Sequence, residues 1–348
     1  MNTNQSSGDN QIDLLGRRRR VPRPLLVLTM LGGLIAVLVA VVVRYDVAPT
    51  EPANGAVAEH PPWDGYFETL PAEMWDKLPG DKECAERVRH SDWEPRPSNR
   101  IPNNTMPDPK AVSAAFKARP RGENGTYDER WNTWLLQRVN GQHTGTTDEN
   151  IQWAACKWGL ADNLLRAVAA AESTWFHHVV DPSTGLCVNT RGCGDYFTET
   201  TPASQVYCRE ISRYGIDYTE DYPDGFCPKT FSLVGLMSWQ DPGWGPMLKN
   251  QNGTFPFNRD STAFALDYYG SWLRGCHEGW IRWAVNTGEV GDYAPGDIWG
   301  CVGLWYAGSW KVPAANEYAA RVRELMKERK WLHPQWGEEY HQPYGLDS

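Results

Sequence analysis

Apolar residues recur at helical spacing in two adjoining stretches near the middle of the chain and again near its end, which predicts a mostly helical domain. Thr146-x-x-Glu149 has the form of a capping box; Ile151, Ala154, Ala155 and Trp158 follow on one face, and Gly159 closes the helix. Asp162 is placed as the cap of a second helix, about residues 163–175, with Leu165, Val168, Ala169 and Glu172 on a common face. Further helices are expected over Thr262–Leu273 and Ala314–Lys330, the latter burying Tyr318, Val322, Leu325 and Met326. Strand signals are sparse, and no long internal repeat is present. Residues 179–230, rich in Gly, Pro, Asp and Cys, read as a looped insertion.

The longest apolar run lies elsewhere. Leu25–Val43 is uncharged over 19 residues, close to the ~20 that span a ~30 Å hydrocarbon layer. Arg17, Arg18, Arg19, Arg20 and Arg23 precede it, so the positive-inside rule predicts a cytoplasmic tail (1–24), a transmembrane anchor (25–43) and everything else outside. A cleaved signal peptide is the competing reading, with its nearest small-residue site at Ala56-Val57-Ala58. Residues 44–82 read as a Pro-rich tether, 83–145 as an irregular extension packed on the core, 146–333 as the main domain and 334–348 as a tail.

Eight Cys, all beyond the apolar run, agree with an oxidising exterior. There is no Cys-x-x-Cys and no zinc-type spacing, so disulfides are preferred to a metal site. Proximity suggests Cys187/Cys193, Cys208/Cys227 and Cys276/Cys301, but eight Cys admit many pairings.

The net charge of the chain is -9, and beyond residue 43 it carries 29 basic against 41 acidic groups, which argues against nucleic acid as a partner. The 18 Trp outnumber Phe and Tyr; some must fill the core, and such flat amphipathic rings also suit a carbohydrate cleft. Glu172 is the residue with candidate chemistry, since a carboxylate on an apolar helix face is expected to have its pKa raised, as a general acid requires. A helix-end Glu that simply reaches solvent would give the same pattern. His177-His178 could suggest a metal pair, but consecutive His on a helix diverge and no third ligand follows. The sequence contains no phosphate loop, dinucleotide fingerprint, nucleophile elbow or His-Glu-x-x-His.

Residues 145–159, followed by Arg166-Ala167-x-Ala169-x-x-Glu172-Ser173-x-Trp175, resemble secreted lysozyme-like proteins of actinobacteria, a group related to soluble lytic transglycosylases and goose-type lysozymes. Trp93-Glu94-Pro95-Arg96-Pro97, Ser261-Thr262-Ala263-Phe264 and Gly296-Asp297-Ile298-Trp299-Gly300-Cys301-Val302-Gly303 extend the resemblance over about residues 84–330. It implies a lysozyme-like fold with Glu172 as the catalytic acid, Ser173 positioning the acid or the substrate, and Trp175 among the substrate contacts. A Gly-Leu-Met-Gln element of that family appears here as Gly235-Leu236-Met237-Ser238, with Gln240 two positions late. An Ala-Tyr-Asn-Ala-Gly element appears as Leu304-Trp305-Tyr306-Ala307-Gly308. The resemblance therefore implies Met237, Gln240, Trp305 and Tyr306 as cleft residues.

It further implies a lytic transglycosylase acting on peptidoglycan glycan strands, with no cofactor and no metal, and the anchor expected at residues 25–43 would tether it outside the membrane. A hydrolytic lysozyme would need a second carboxylate, for which Asp181, Asp195, Asp241 and Asp260 are candidates. An inactive wall-binding module is the reading from another class, favoured by Ser238 and opposed by the Glu172-Ser173 pair.

Overall fold

A computed structural model describes residues 65–118, 129–177, 196–213, 224–237, 252–281, 284 and 293–337. The apolar run 25–43, the tail 1–24 and Cys187, Cys193, Ser238 and Gln240 lie outside the described residues. None of the described helices is long and apolar enough to cross a membrane.

The described part is mostly helical. Ten helices are α1 (Asp81–Arg87), α2 (Arg100–Asn103), α3 (Pro109–Ala118), α4 (Thr147–Trp158), α5 (Asp162–Ser173), α6 (Pro202–Arg213), α7 (Phe257–Asp260), α8 (Thr262–His277), α9 (Ile298–Ala307) and α10 (Pro313–Glu328). Four short strands, β1 (Tyr196–Thr198), β2 (Phe226–Pro228), β3 (Thr230–Phe231) and β4 (Leu236–Met237), form two antiparallel pairs, β1 with β2 and β3 with β4.

The helix of the capping box forms as expected. Thr146 Oγ1 accepts from the Glu149 amide, the Glu149 carboxylate accepts from the Thr146 amide, and Gly159 closes α4 at φ +55°. The second helix begins differently: Ala161 is its N-cap and Asp162 lies inside the first turn. The Asp162 carboxylate accepts from the amides of Tyr66 (3.0 Å) and Phe67 (3.1 Å) and pairs with Arg166. Two of these three partners come from a segment 95 and more residues upstream, so the local cap signal is overridden by a tertiary one.

Arg166 also pairs with Asp148 (2.7 Å), which joins the first turn of α4 to the second turn of α5 inside the core. Lys157, fully buried, contacts Asp81 (2.7 Å) and Asp267 (2.8 Å) and thereby joins α1, α4 and α8. Buried charges are tolerable when paired in this way, and removing one partner would strand the other.

The domain is larger than the sequence boundaries suggest. Residues 65–80, read as the end of a tether, are packed on it: the Leu70 amide donates to the Gly159 carbonyl (2.9 Å), and Arg274 donates to the carbonyls of Leu70 (3.0 Å) and Pro71 (2.7 Å). Residues 83–145 contribute α1 to α3 and buried Trp131, Leu135 and Leu136 to the same core. At the other end, Trp336 is buried, so the core continues past residue 333.

Disulfides link Cys84–Cys156 (α1 to α4), Cys208–Cys227 (α6 to β2) and Cys276–Cys301 (α8 to α9). The last two are the pairs suggested by proximity; the first spans 72 residues and had no local signal. The stretch read as a looped insertion contains α6, whose Tyr207, Cys208 and Ile211 form a small separate core with Cys227 and Phe231. Among the described residues nine Trp are buried, so at least half of the Trp in the chain serve packing rather than a cleft.

α10 lies against α5 and α9. Its approach to α9 requires a small residue: a Cβ at Gly303 would come within 2.5 Å of the Ala315 carbonyl oxygen.

Candidate functional site

Helix α5 ends abruptly, because Thr174 (φ +55°) and Trp175 (φ +69°) both adopt left-handed backbone. Two successive non-glycine residues in that region carry strain, and other parts of the fold hold them there. Arg96 Nε donates to the Thr174 carbonyl (2.9 Å), Asn99 Nδ2 donates to the Trp175 carbonyl (2.6 Å), and the His177 amide donates to Asn99 Oδ1 (2.8 Å). The Trp93–Pro97 motif thus acts through Arg96, a residue for which the sequence offered no separate role.

Glu172 sits in this last turn and is half-buried. Its Oε1 accepts a hydrogen bond from the Tyr318 hydroxyl of α10, and its Oε2 lies over Gly235. A Cβ at Gly235 would stand 2.7 Å from Oε2, and the residue has φ +60°, so glycine is needed there both for space and for conformation.

The chain around Gly235 is held at four carbonyls. Ser173 Oγ donates to Leu233 O (3.0 Å), Trp305 Nε1 to Val234 O (3.1 Å), Asn258 Nδ2 to Leu236 O (3.3 Å) and Asn252 Nδ2 to Met237 O (2.7 Å). Side chains from α5, α9, α7 and the 252–256 segment therefore fix the backbone that faces the carboxylate. Met237, half-buried in β4 opposite Thr230, belongs to this same segment.

The remaining candidates divide. Ser173 is buried and positions the Leu233–Gly235 segment rather than presenting a hydroxyl to solvent. Trp305 packs edge-on to Tyr269 (4.8 Å) and Trp272 (5.0 Å) and uses its indole N–H on Val234. Tyr306 is 59% exposed and lies face to face with Tyr318 at 4.5 Å. Trp175 corrects the sequence reading: it is fully buried among Trp93, Trp331 and Trp336, and its indole donates to the Arg166 carbonyl (2.9 Å), so it is a core residue and not a ligand contact.

Two tyrosine hydroxyls are held protonated at this site. Burial first, then the nearby negative charge of Glu172, pushes both Tyr318 and Tyr269 well above the usual tyrosine pKa. Tyr318 is therefore a dependable donor to the carboxylate. The sequence showed it only as one member of a buried stripe, and no local signal marks it as a partner of Glu172.

Among the possible second carboxylates, Asp260 pairs with Arg259 (2.6 Å), while Asp181, Asp195 and Asp241 lie outside the described residues. His177 is buried and held by the Arg259 carbonyl at Nε2 (2.7 Å) and Thr262 Oγ1 at Nδ1 (3.2 Å), a structural role.

No protein-family model, no curated protein and no solved structure matches the chain.

Proposed function

We propose that the chain is a peptidoglycan lytic transglycosylase with a lysozyme-like fold, held outside the membrane by residues 25–43, and that Glu172 is its acid and base. The observation that carries this reading is the seat of Glu172: a half-buried carboxylate at a strained helix end, gripped by Tyr318 and backed by the pinned Gly235 segment. Preorganisation of this kind is what a proton-transferring group needs. The disulfides fit an oxidising exterior.

In the proposed reaction, protonated Glu172 gives its proton to the oxygen that links N-acetylmuramic acid to N-acetylglucosamine. That C–O bond breaks, and the substrate's own N-acetyl group stabilises the cationic carbon. The Glu172 carboxylate then removes the proton from the muramic 6-hydroxyl, whose oxygen closes on the same carbon as a 1,6-anhydro ring. Tyr318 stays protonated throughout and keeps Oε1 oriented while Glu172 changes charge. Water is not consumed, and no metal or cofactor takes part.

The deciding experiment is digestion of purified peptidoglycan by the oxidised protein, with products analysed by mass. Anhydro fragments, one water lighter than hydrolysis products, are expected, and Glu172→Gln should lower their release by ~100-fold or more. Reducing-end fragments would make the protein a hydrolase, and glycan binding without cleavage would make it a tethered binding module.

A further inference from the structure

A third polar group shares the surroundings of the Tyr318–Glu172 pair. Tyr269, in the middle of α8, is fully buried, and its hydroxyl meets no hydrogen-bond partner among the described residues. The ring is fixed by its neighbours. It packs edge-on to Trp305 at 4.8 Å, and the Trp305 indole donates to the carbonyl of Val234, one residue before the Gly235 that lies under Glu172 Oε2. The negative charge of Glu172 acts on both phenols, and Tyr269 acts on Tyr318 in turn. Helices α5, α8 and α10 thus bring one carboxylate and two protonated phenols into a single cluster.

Folding alone does not explain the Tyr269 hydroxyl. A buried hydroxyl without a partner costs stability, and phenylalanine would supply the same ring without that cost. Within the cluster, the group that changes charge during the proposed reaction is Glu172. An ionised carboxylate can accept at about four positions, and Tyr318 fills one of them. Bonds to the charged form are also the stronger ones, so a donor gains most at the moment the proton has left.

We propose that Tyr269 is a second positioning residue for Glu172, its hydroxyl held in reserve as a donor that the carboxylate takes up, by a small turn of its half-buried side chain, once it is ionised. This role rests on the function proposed above for Glu172. Other titratable groups around the pair include Arg321 of α10, which acts on Tyr318, and Tyr306 of α9, which stacks on it.

The test compares the full-length protein in detergent with its Tyr269→Phe variant, which keeps the ring and removes the hydroxyl. Glu172 is titrated directly through its carboxyl infrared band, with Glu172→Gln as the blank, so this readout needs no turnover. Loss of a donor to the ionised form should raise the Glu172 pKa by about 0.5 to 1 unit. The alkaline limb of kcat/KM on purified peptidoglycan, where the acid loses its proton, should move up by the same amount. Thermal stability should hold or rise. An unmoved Glu172 titration, at whatever stability, would overturn the proposal and make Tyr269 a packing residue. If Tyr269→Phe does not fold, 3-fluorotyrosine incorporated at position 269 decides: as a stronger donor it should lower the Glu172 pKa, and an unmoved titration again overturns the role. A protein that cleaves nothing, yet whose Glu172 titration follows these substitutions, would remove the transglycosylase reading and leave the Tyr269–Glu172 coupling standing; cleavage with an unmoved titration would do the reverse.

Discussion

The Tyr318 hydroxyl donates to Glu172 Oε1 across 146 residues of chain, joining the C-terminal helix to the strained end of α5. The bond makes α10 part of the site, and its own packing on α9 through Gly303 sets where the hydroxyl lies. Tyr318→Phe removes the donor and keeps the ring that stacks on Tyr306. A hydrogen bond to a charged group contributes roughly 1.5–3 kcal/mol, so kcat on peptidoglycan should fall about ten- to a hundred-fold. Thermal unfolding measured alongside should shift little; full retained activity would show that Tyr318 is not needed to hold the acid.

Gly235→Ala is expected to impair activity more than folding. The new Cβ would collide with Glu172 Oε2, and the left-handed backbone at residue 235 adds strain of about 1 kcal/mol or more. The half-buried carboxylate can yield by turning away from the loop, which costs the fold little and the reaction much. Steady-state kinetics and a urea titration on the same preparation separate the two effects; equal activity at reduced stability would contradict the placement.

The Cys84–Cys156 bridge closes a 72-residue separation and joins α1 to α4. Replacing both Cys by Ala should cost about 2–5 kcal/mol of stability, the range found for bridges over long loops. The expected result is a clear drop in the denaturant midpoint. Activity at low temperature should persist, since the bridge joins α1 to α4 whereas the residues that hold Glu172 come from α10 and the Gly235 segment.

Stability should also decline on mild acidification. Burial lowers the pKa of His143 and His277 below the usual histidine value, with Arg274 adding to the effect at His277. Between the folded and unfolded pKa values the unfolded chain binds more protons, so stability is full above about pH 6.5 and falls as the pH drops through the folded values. Urea midpoints at pH 7.5 and 5.5 should differ more for the natural chain than for a His143→Gln/His277→Gln variant. Identical pH slopes would rule these two groups out.

The parts of the structure that are legible along the chain are those whose physics is local. Thr146, Glu149 and Gly159 satisfy the ends of α4 by local contacts, and the 3.6-residue period of Leu165, Val168 and Ala169 marks α5 as a helix of the core, although in the fold it is buried on every side and not on one face alone. Glu172 stands out for the same reason, as a carboxylate in that helix. Asp162 has the composition of a cap, yet its oxygens are taken by the distant amides of Tyr66 and Phe67 and by Arg166 one turn along α5, because a buried carboxylate gains more from these three donors than from a cap.

Beyond that range, only tertiary packing decides. Trp175 lies three residues from the acid and reads as a cleft residue, but the left-handed turn after α5 swings it into a cage of other tryptophans. Tyr318 shares its apolar stripe with Val322, and nothing in helical periodicity tells a tyrosine that fills the core from one that grips a carboxylate. Helical spacing and caps depend on neighbours along the chain and so belong to the sequence itself; the partner of each buried polar group depends on which helix arrives from a hundred residues away, and only the assembled core settles that.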